Sequence, residues 1–302
     1  MIPSFLTEGD LILVVAPAFS ANEEEVRNGI LYLKKIGFRV ETGPNVFSSW
    51  GKFAGTDADR KADLQWALDH PEAKAIFCTR GGYGLGRILS DLSFNMFQSK
   101  PKWFIGFSDI TLLHLRLNSL GVSSLHGPMV LHFSRPEQSV ACTSLVRILN
   151  GELPSVLYPL IPERQDAQGI NGPLAGGNLT MISHSAGKLK AGVFSGSVLF
   201  LEEIGEYFYR IDRMLEQLRQ SGMFEGVKAV VLGQFTDCEP DRFPLSLLEM
   251  VKEKLPEGVP LFSGLESGHG VPTYPLVFAT LAAIEKRETG FRLIPRLRPV
   301  TS

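Results

Sequence analysis

Residues 103–115, with the sequence WFIGFSDITLLHL, contain a transition from strand to helix that indicates the fold class. The apolar run that begins at Trp103 has the length of a short buried strand. It leads into a Gly-x-Ser turn at Ser108, and from there into a helix that continues to Leu120 and stops at Gly121. A strand that turns directly into a helix is the repeating unit of α/β proteins.

The same alternation of strand and helix fills the first half of the sequence. Predicted strands lie at residues 11–16, 38–40, 75–79 and 122–125, and predicted helices begin after the capping residues Asn22 and Thr56. Strands separated by helices at this spacing form parallel sheets that are covered on both faces. The sequence therefore predicts the α/β class, with a parallel-sheet N-terminal domain over residues 1–150.

The alternation breaks after Asn150. Residues 151–172 contain three prolines and no sustained periodicity, so this segment is interpreted as a linker between two domains. The second domain, residues 173–302, is predicted to be mixed α/β, with a helix that begins near Asn178 and strands at 197–201 and 229–232. Its order of strands cannot be obtained from the pattern.

Composition excludes several classes of protein. A length of 302 residues favours two domains, and a net charge of -2 gives no attraction to nucleic acid or to an anionic membrane. The first ten residues lack the basic segment of a secretory signal, and no apolar stretch is long enough to span a bilayer. The three cysteines, Cys78, Cys142 and Cys238, have no metal-ligand spacing and suit a reducing cytoplasm.

Ser108 is the first candidate for chemistry. The carboxyl ends of parallel strands carry the reactive groups of α/β proteins, and a serine on a sharp turn there can act as a nucleophile. The backbone amide of Asp109 would then stabilise an oxyanion. The motif lacks the second glycine of the usual nucleophile elbow, since Ile110 stands there. The alternative interpretation, that Ser108 only caps the following helix, stays open on local pattern.

A glycine-rich turn, RGGYG at residues 80–84, ends the neighbouring strand. Gly81 and Gly82 permit the close backbone approach that a second oxyanion donor needs. A tight structural turn is the alternative. A phosphate-binding loop is a weaker alternative, because neither the dinucleotide nor the P-loop spacing is present.

A serine nucleophile requires a base and an orienting acid. His269 lies in the loop sequence SGHG at 267–270, and loops often carry catalytic groups. His126 ends a strand and is a second candidate, whereas the four other histidines are interpreted as structural or solvated. These are His70, His114, His132 and His184. Glu202 and Glu203 end an apolar strand, where carboxylates are costly unless paired, but strand alternation does not decide between them.

Several segments together resemble the LD-carboxypeptidase family of serine peptidases, which includes the microcin C immunity peptidases. In chain order they are GD at 9–10, RGGYG at 80–84, GFSDIT at 106–111, HGP at 126–128, GGNL at 176–179, LEEIGE at 201–206, YRIDR at 209–213 and GH at 268–269. The likeness covers nearly the whole chain. The family often has aspartate where this sequence has Glu203, so an exchange of roles between the two glutamates stays open.

The resemblance implies a fold and a catalytic triad. The fold would be a Rossmann-like N-terminal domain and a second, mixed α/β domain, with the active site between them. The triad would consist of Ser108, His269 and Glu202, without metal or cofactor, and family members often form homodimers. The reaction would be the release of terminal D-alanine from murein tetrapeptides during cell-wall recycling. Arg80 is then a candidate for binding the substrate carboxylate, or a structural brace of its turn, and Tyr83 is a further substrate-binding candidate.

Three alternative functions stay open. A microcin-type enzyme would use the same triad on a peptide-nucleotide and would stack a base on an aromatic side chain such as Trp50, Phe53 or Tyr158. A non-catalytic protein that captures a small ligand would also suit two α/β lobes. A cysteine hydrolase based on Cys78 is weakest, because its apolar strand neighbours predict a buried and inert thiol.

Overall fold

The computed structural model describes residues 1–152, 158–164, 169–288 and 290–296. In chain order, the strands of these ranges are β1 (Leu11–Val15), β2 (Arg39–Thr42), β3 (Ala75–Cys78), β4 (Trp103–Gly106), β5 (Ser124–His126), β6 (Tyr158–Arg164), β7 (Ile170–Asn178), β8 (Val198–Ile204), β9 (Ala229–Thr236), β10 (Leu261–Ser263), β11 (Leu276–Phe278), β12 (Leu281–Arg287) and β13 (Gly290–Pro295). The α-helices are α1 (Glu23–Lys35), α2 (Asp57–Asp69), α3 (Leu85–Ile88), α4 (Asn95–Ser99), α5 (Thr111–Ser119), α6 (Ser139–Leu149), α7 (Leu179–Ser185), α8 (Phe208–Gln220) and α9 (Leu247–Lys254).

The chain forms two compact units. Of the described residues, the first unit contains 1–152 and 272–277, and the second contains 158–164, 169–271, 278–288 and 290–296. None of the helices in the described ranges combines the length and the apolar character that crossing a bilayer requires.

The first unit is built on a six-stranded sheet with the order β11-β5-β4-β3-β1-β2. The pairs among β1 to β5 are all parallel, as the alternation of strands and helices predicts. The buried strand residues Ile12, Phe77 and Ile105 belong to one hydrophobic cluster with side chains of the covering helices. This arrangement confirms the α/β class and the parallel-rich sheet.

The helices of this unit begin where the capping residues predict. The Asn22 side chain accepts a hydrogen bond from the Glu25 backbone at 3.0 Å, and α1 starts one residue later. Thr56 and Asp59 form a reciprocal capping box at the start of α2. Both capping signals depend only on neighbouring residues, so they can be recognised in the sequence without knowledge of the tertiary structure.

The second unit is a closed barrel with the strand order β10-β6-β13-β12-β7-β8-β9. The pairs β7–β8, β8–β9 and β9–β10 are parallel, whereas β6, β12 and β13 pair in antiparallel fashion. A barrel leaves no unpaired sheet edge. The prediction of a mixed α/β second domain is confirmed in this coarser form.

The segment interpreted as a linker, residues 151–172, differs from that interpretation in its described part. It contains β6 and the beginning of β7, both of which belong to the barrel. Tyr158 and Leu160 are buried while Pro159 and Ile161 are exposed, so the alternation of a strand is present. The prolines conceal this alternation in the sequence. Residues 153–157 and 165–168 lie outside the described residues.

The compact units also differ from the predicted ranges near the end of the chain. Residues 272–277 lie within the range 173–302 that the sequence predicts for the second domain, but they belong to the first unit. The reason is that β11 joins the edge of the parallel sheet beside β5. A three-residue strand is too short to be recognised by periodicity.

Candidate active site

Ser108 lies on a strained turn at the carboxyl end of β4. Its φ angle is +67°, a left-handed conformation that costs energy for any residue with a side chain. The 3₁₀ turn Ser108–Ile110 follows, and α5 begins only at Thr111 with no side-chain cap. The helix-cap interpretation of Ser108 therefore has no hydrogen bond to support it. Strain at one half-buried serine is typical of a nucleophile turn.

The glycine-rich turn lies directly against Ser108. A Cβ atom added to Gly81 would stand 2.8 Å from the Ser108 Cβ and 3.1 Å from its Oγ, so only glycine fits there. Gly82 has φ of +116°, a conformation that favours glycine. The backbone of this turn and residue Asp109 thus flank the serine within the first unit.

The two predicted substrate-binding residues differ in their contacts. Arg80 Nη1 donates to the Ser20 carbonyl oxygen at 3.3 Å, which supports the interpretation of Arg80 as a brace of its turn. Its remaining guanidinium N–H groups leave the carboxylate-binding role possible as a second task. Tyr83 is 49% exposed, and its ring centroid lies 5.9 Å from that of Phe53.

In the second unit, Glu202 and Glu203 are both buried although they are adjacent on β8. Their side chains are 0% and 2% exposed. The register between β8 and β9 shifts between Leu201 and Glu203, which interrupts the alternation of a regular strand. All residues of β8 from Val198 to Glu203 are buried, so alternation between a buried and an exposed face does not distinguish the two carboxylates.

The two glutamates have different partners. Glu203 accepts hydrogen bonds from the Asn178 side chain, from the backbone and hydroxyl of Thr180, and from the Ile204 backbone, all between 2.7 and 2.9 Å. Burial raises the pKa of Glu203 despite these bonds, and the charge of Glu202 raises it further. Glu203 thus anchors the start of α7, whereas Glu202 is the one that contacts a histidine.

His269 pairs with Glu202 inside the second unit. The His269 Nδ1 atom lies 2.6 Å from Glu202 Oε2. Burial by itself lowers the pKa of His269, but the hydrogen bond and charge of Glu202 outweigh it, so that the pKa is raised. An imidazole with Nδ1 held by a buried carboxylate presents Nε2 as a base, which is the arrangement of a catalytic acid–base pair.

The loop that carries His269 is held by β9. The Gln234 backbone donates to the Ser267 carbonyl oxygen, and its side-chain Oε1 accepts from the Gly270 backbone, both at 2.9 Å. These bonds bracket His269 on both sides. Gln234 is not among the residues that the sequence predicts for the site, although its place just after the apolar run 229–232 marks the carboxyl end of a strand.

Cys78 and three of the other histidines are buried. His114 is buried, with Nδ1 2.8 Å from Ser124 Oγ and Nε2 2.8 Å from the Gly106 carbonyl oxygen, and burial lowers its pKa to about 4. His126 and His132 are also buried. Burial raises the pKa of the Cys78 thiol well above its ordinary value, and the Asp109 charge adds to this, so a reactive thiolate is disfavoured.

Comparison with known proteins gives these residues a context. The sequence matches family profiles described as the LD-carboxypeptidase N-terminal domain, over residues 12–127, and C-terminal domain, over residues 171–284. The murein tetrapeptide carboxypeptidase of Pseudomonas aeruginosa is 32% identical, and the match covers 91% of this chain and 92% of that protein. The microcin self-immunity protein MccF of Escherichia coli is 23% identical over 89% of this chain and 88% of that protein.

The fold is similar to solved structures as well. The crystal structure of a muramoyltetrapeptide carboxypeptidase from Oxalobacter formigenes has a TM-score of 0.83 and 28% sequence identity, and covers 96% of this chain and 100% of that chain. The two family profiles together match more than half of the sequence. The chain therefore belongs to the LD-carboxypeptidase family.

Proposed function

We propose that this protein is a serine carboxypeptidase that releases terminal D-alanine from murein tetrapeptides, with Ser108, His269 and Glu202 as its catalytic triad. The observation that carries the proposal is the 2.6 Å contact between His269 Nδ1 and the buried Glu202 carboxylate, in a member of a serine carboxypeptidase family. The higher identity to the murein enzyme than to the microcin self-immunity protein favours the murein substrate.

Each residue has one task in this mechanism. Ser108 Oγ attacks the carbonyl carbon of the bond before D-alanine while His269 Nε2 accepts the hydroxyl proton. Glu202 holds Nδ1–H and offsets the imidazolium charge. The amides of Asp109 and of Gly81 or Gly82 stabilise the oxyanion.

The tetrahedral intermediate then collapses to an acyl-enzyme. His269 gives its proton to the amino group of the departing D-alanine, and the C–N bond breaks. A water molecule repeats the attack with His269 again as base, which releases the shortened peptide and restores Ser108. Arg80 is proposed to bind the carboxylate of the terminal residue, beside Tyr83. A cytoplasmic location and a homodimer belong to the same proposal.

The experiment measures D-alanine release from a purified murein tetrapeptide through a coupled D-amino acid oxidase assay, with a chelator present. We expect release by the wild type and a loss of at least about 10³-fold in Ser108→Ala, because the nucleophile is removed. Ser144→Ala is the matched control, since Ser144 is a buried serine of the same unit whose Oγ has no partner among the described residues. It should keep wild-type activity.

Three results would contradict the proposal in different ways. If Ser108→Ala releases D-alanine at the wild-type rate, the residue assignment is wrong. If the folded wild type releases none but cleaves an aminoacyl nucleotide, the substrate belongs to the microcin-type branch. If neither compound is cleaved, a non-catalytic binding function gains support.

A further inference from the structure

The buried carboxylate of Asp109 connects the two turns that flank Ser108. Asp109 follows the proposed nucleophile and is 1% exposed. Its Oδ2 accepts a hydrogen bond from the Leu85 backbone at 2.8 Å. Leu85 begins α3, immediately after the glycine-rich turn, so one side chain joins the nucleophile turn to the end of residues 80–84.

The residue of the glycine-rich turn that precedes α3 has no side chain that could accept this hydrogen bond. The residue before α3 is Gly84, which has φ of +138° and no side chain with which to cap the helix. In most helices a polar side chain at that position accepts an N–H of the first turn. Here Asp109 supplies the acceptor from a neighbouring segment, and it thereby fixes where the chain leaves the turn.

The position of the turn has little tolerance. A Cβ added to Gly81 would stand 2.8 Å from the Ser108 Cβ and 3.1 Å from the Phe107 carbonyl oxygen, so the two backbones touch. Oxyanion donors act only within hydrogen-bond distance of the developing charge, and small displacements reduce their effect steeply. A loss of the Asp109 bond would let the turn move away from Ser108.

Burying the Asp109 carboxylate lowers the stability of the folded state, which argues against a purely structural role. Burial raises its pKa to about 6, although the bond from the Leu85 backbone, the charge of Arg60 and the Gly84 backbone oppose that shift. Its Oδ1 is buried and has no hydrogen-bond partner among the described residues. An asparagine could accept the same bond without a buried charge. A native group of this kind calls for a functional explanation.

We propose that Asp109 is a positioning residue whose carboxylate holds the Gly81–Gly82 turn against Ser108 and so keeps the two oxyanion donors in register. The proposal rests on the proposed function, since it assigns the oxyanion donors to these two turns. It concerns the side chain of Asp109, whereas the mechanism above uses only its backbone amide.

The test compares Asp109→Ala with Asp109→Asn. We expect Asp109→Ala to lower kcat by about 10²-fold while KM stays within about threefold, because the loss falls on the transition state. Asp109→Asn keeps an acceptor for the Leu85 amide and should keep kcat within about tenfold of wild type. At pH 8 it should also unfold at a temperature at least as high as wild type, because the buried charge is gone.

Asp63→Asn is the matched control. Asp63 is another buried carboxylate of the same unit, and burial raises its pKa as well. It accepts two 2.8 Å hydrogen bonds from Asn45, which belongs to neither turn. Its substitution should change the unfolding temperature and leave kcat unchanged. A parallel fall of kcat in Asp63→Asn and Asp109→Ala would overturn the positioning role.

A second readout separates this proposal from the proposed function. If the wild type releases no D-alanine, the rate at which a fluorophosphonate labels Ser108 replaces kcat, since that reaction also uses the oxyanion donors. If the wild type is not labelled either, the proposed function has failed, and hydrogen exchange at the Leu85 amide decides. Faster exchange in Asp109→Ala supports the connection. Equal exchange, labelling or kcat in folded Asp109→Ala and wild type would overturn it.

Discussion

Replacing Glu202 by glutamine tests the central contact of the proposed mechanism. Glutamine has nearly the shape of glutamate, but it places an amide where Oε2 accepts the His269 Nδ1–H bond at 2.6 Å. If the amide N–H faces Nδ1, the proton of the neutral imidazole moves to Nε2. That tautomer cannot accept the Ser108 proton, so the base is lost although the geometry is kept.

The magnitude follows from comparable acid–base pairs. A change of the orienting carboxylate to its amide lowers kcat by about 10⁴-fold in enzymes with this arrangement. The effect on stability is smaller, because one buried hydrogen bond is altered and the cavity stays filled. We expect a loss of about 1–3 kcal/mol in the free energy of unfolding. Turnover and stability should therefore separate clearly.

The dependence on pH gives a second signature. His269 has a raised pKa because of Glu202, and without that charge burial should lower the pKa below the ordinary 6.5. The acid limb of kcat/KM should then move to lower pH, since the base works only when neutral. Stability contributed by the raised pKa is fully present below pH 6.5 and is lost as pH rises through the folded-state pKa. The stability difference from wild type should therefore shrink between pH 6 and pH 9.

Glu203→Gln is the matched control for this substitution. Glu203 is also buried on β8, but its two oxygens accept hydrogen bonds from Asn178, Thr180 and Ile204. An amide there turns its own N–H groups toward donors, which destabilises the unit while leaving His269 paired. We expect kcat within tenfold of wild type and a lower melting temperature. Loss of turnover in Glu203→Gln, with turnover kept in Glu202→Gln, would refute the assignment and exchange the two roles.

Two further substitutions test the surroundings of Ser108. Gly81→Ala should lower kcat by at least about 10²-fold, because its Cβ would stand 2.8 Å from the Ser108 Cβ, whereas Gly187→Ala, where no atom lies within 4 Å, should have wild-type kinetics. Cys78→Ala should keep kcat within about twofold in the D-alanine assay, because the thiol is buried and its pKa is raised. Loss of activity in folded Cys78→Ala would restore the cysteine-hydrolase alternative.

The parallel sheet could be predicted because its signals are local. Asn22 and Thr56 mark the starts of their helices, because each side chain can accept a hydrogen bond from the backbone N–H three residues later. Both bonds are present in the structure. Buried parallel strands also appear as continuous apolar runs, as in β1 and β4. Neither signal depends on contacts with distant parts of the chain.

The barrel could not be predicted, because its closure depends on pairs between distant segments. Strand β6 pairs with β10 and β13, about one hundred residues or more later in the chain, and no local pattern encodes such pairing. Pro159 and Pro162 add a misleading signal, since prolines within a run argue against a strand. In β6 both prolines are exposed while Tyr158 and Leu160 supply the buried side.

The sequence does not show which of Glu202 and Glu203 orients the histidine, whereas the hydrogen bonds of the folded chain distinguish the two carboxylates. Periodicity assigns one of two adjacent strand residues to each face, but β8 is buried on both faces from Val198 to Glu203, so both carboxylates are buried. Both Glu203 oxygens are occupied by donors of the polypeptide, so that group has no capacity left to orient an imidazole. Glu202 Oε2 binds His269, and Oε1 has no partner among the described residues. The count of occupied acceptors therefore supports the proposal that Glu202 is the orienting acid, and this count requires the folded structure.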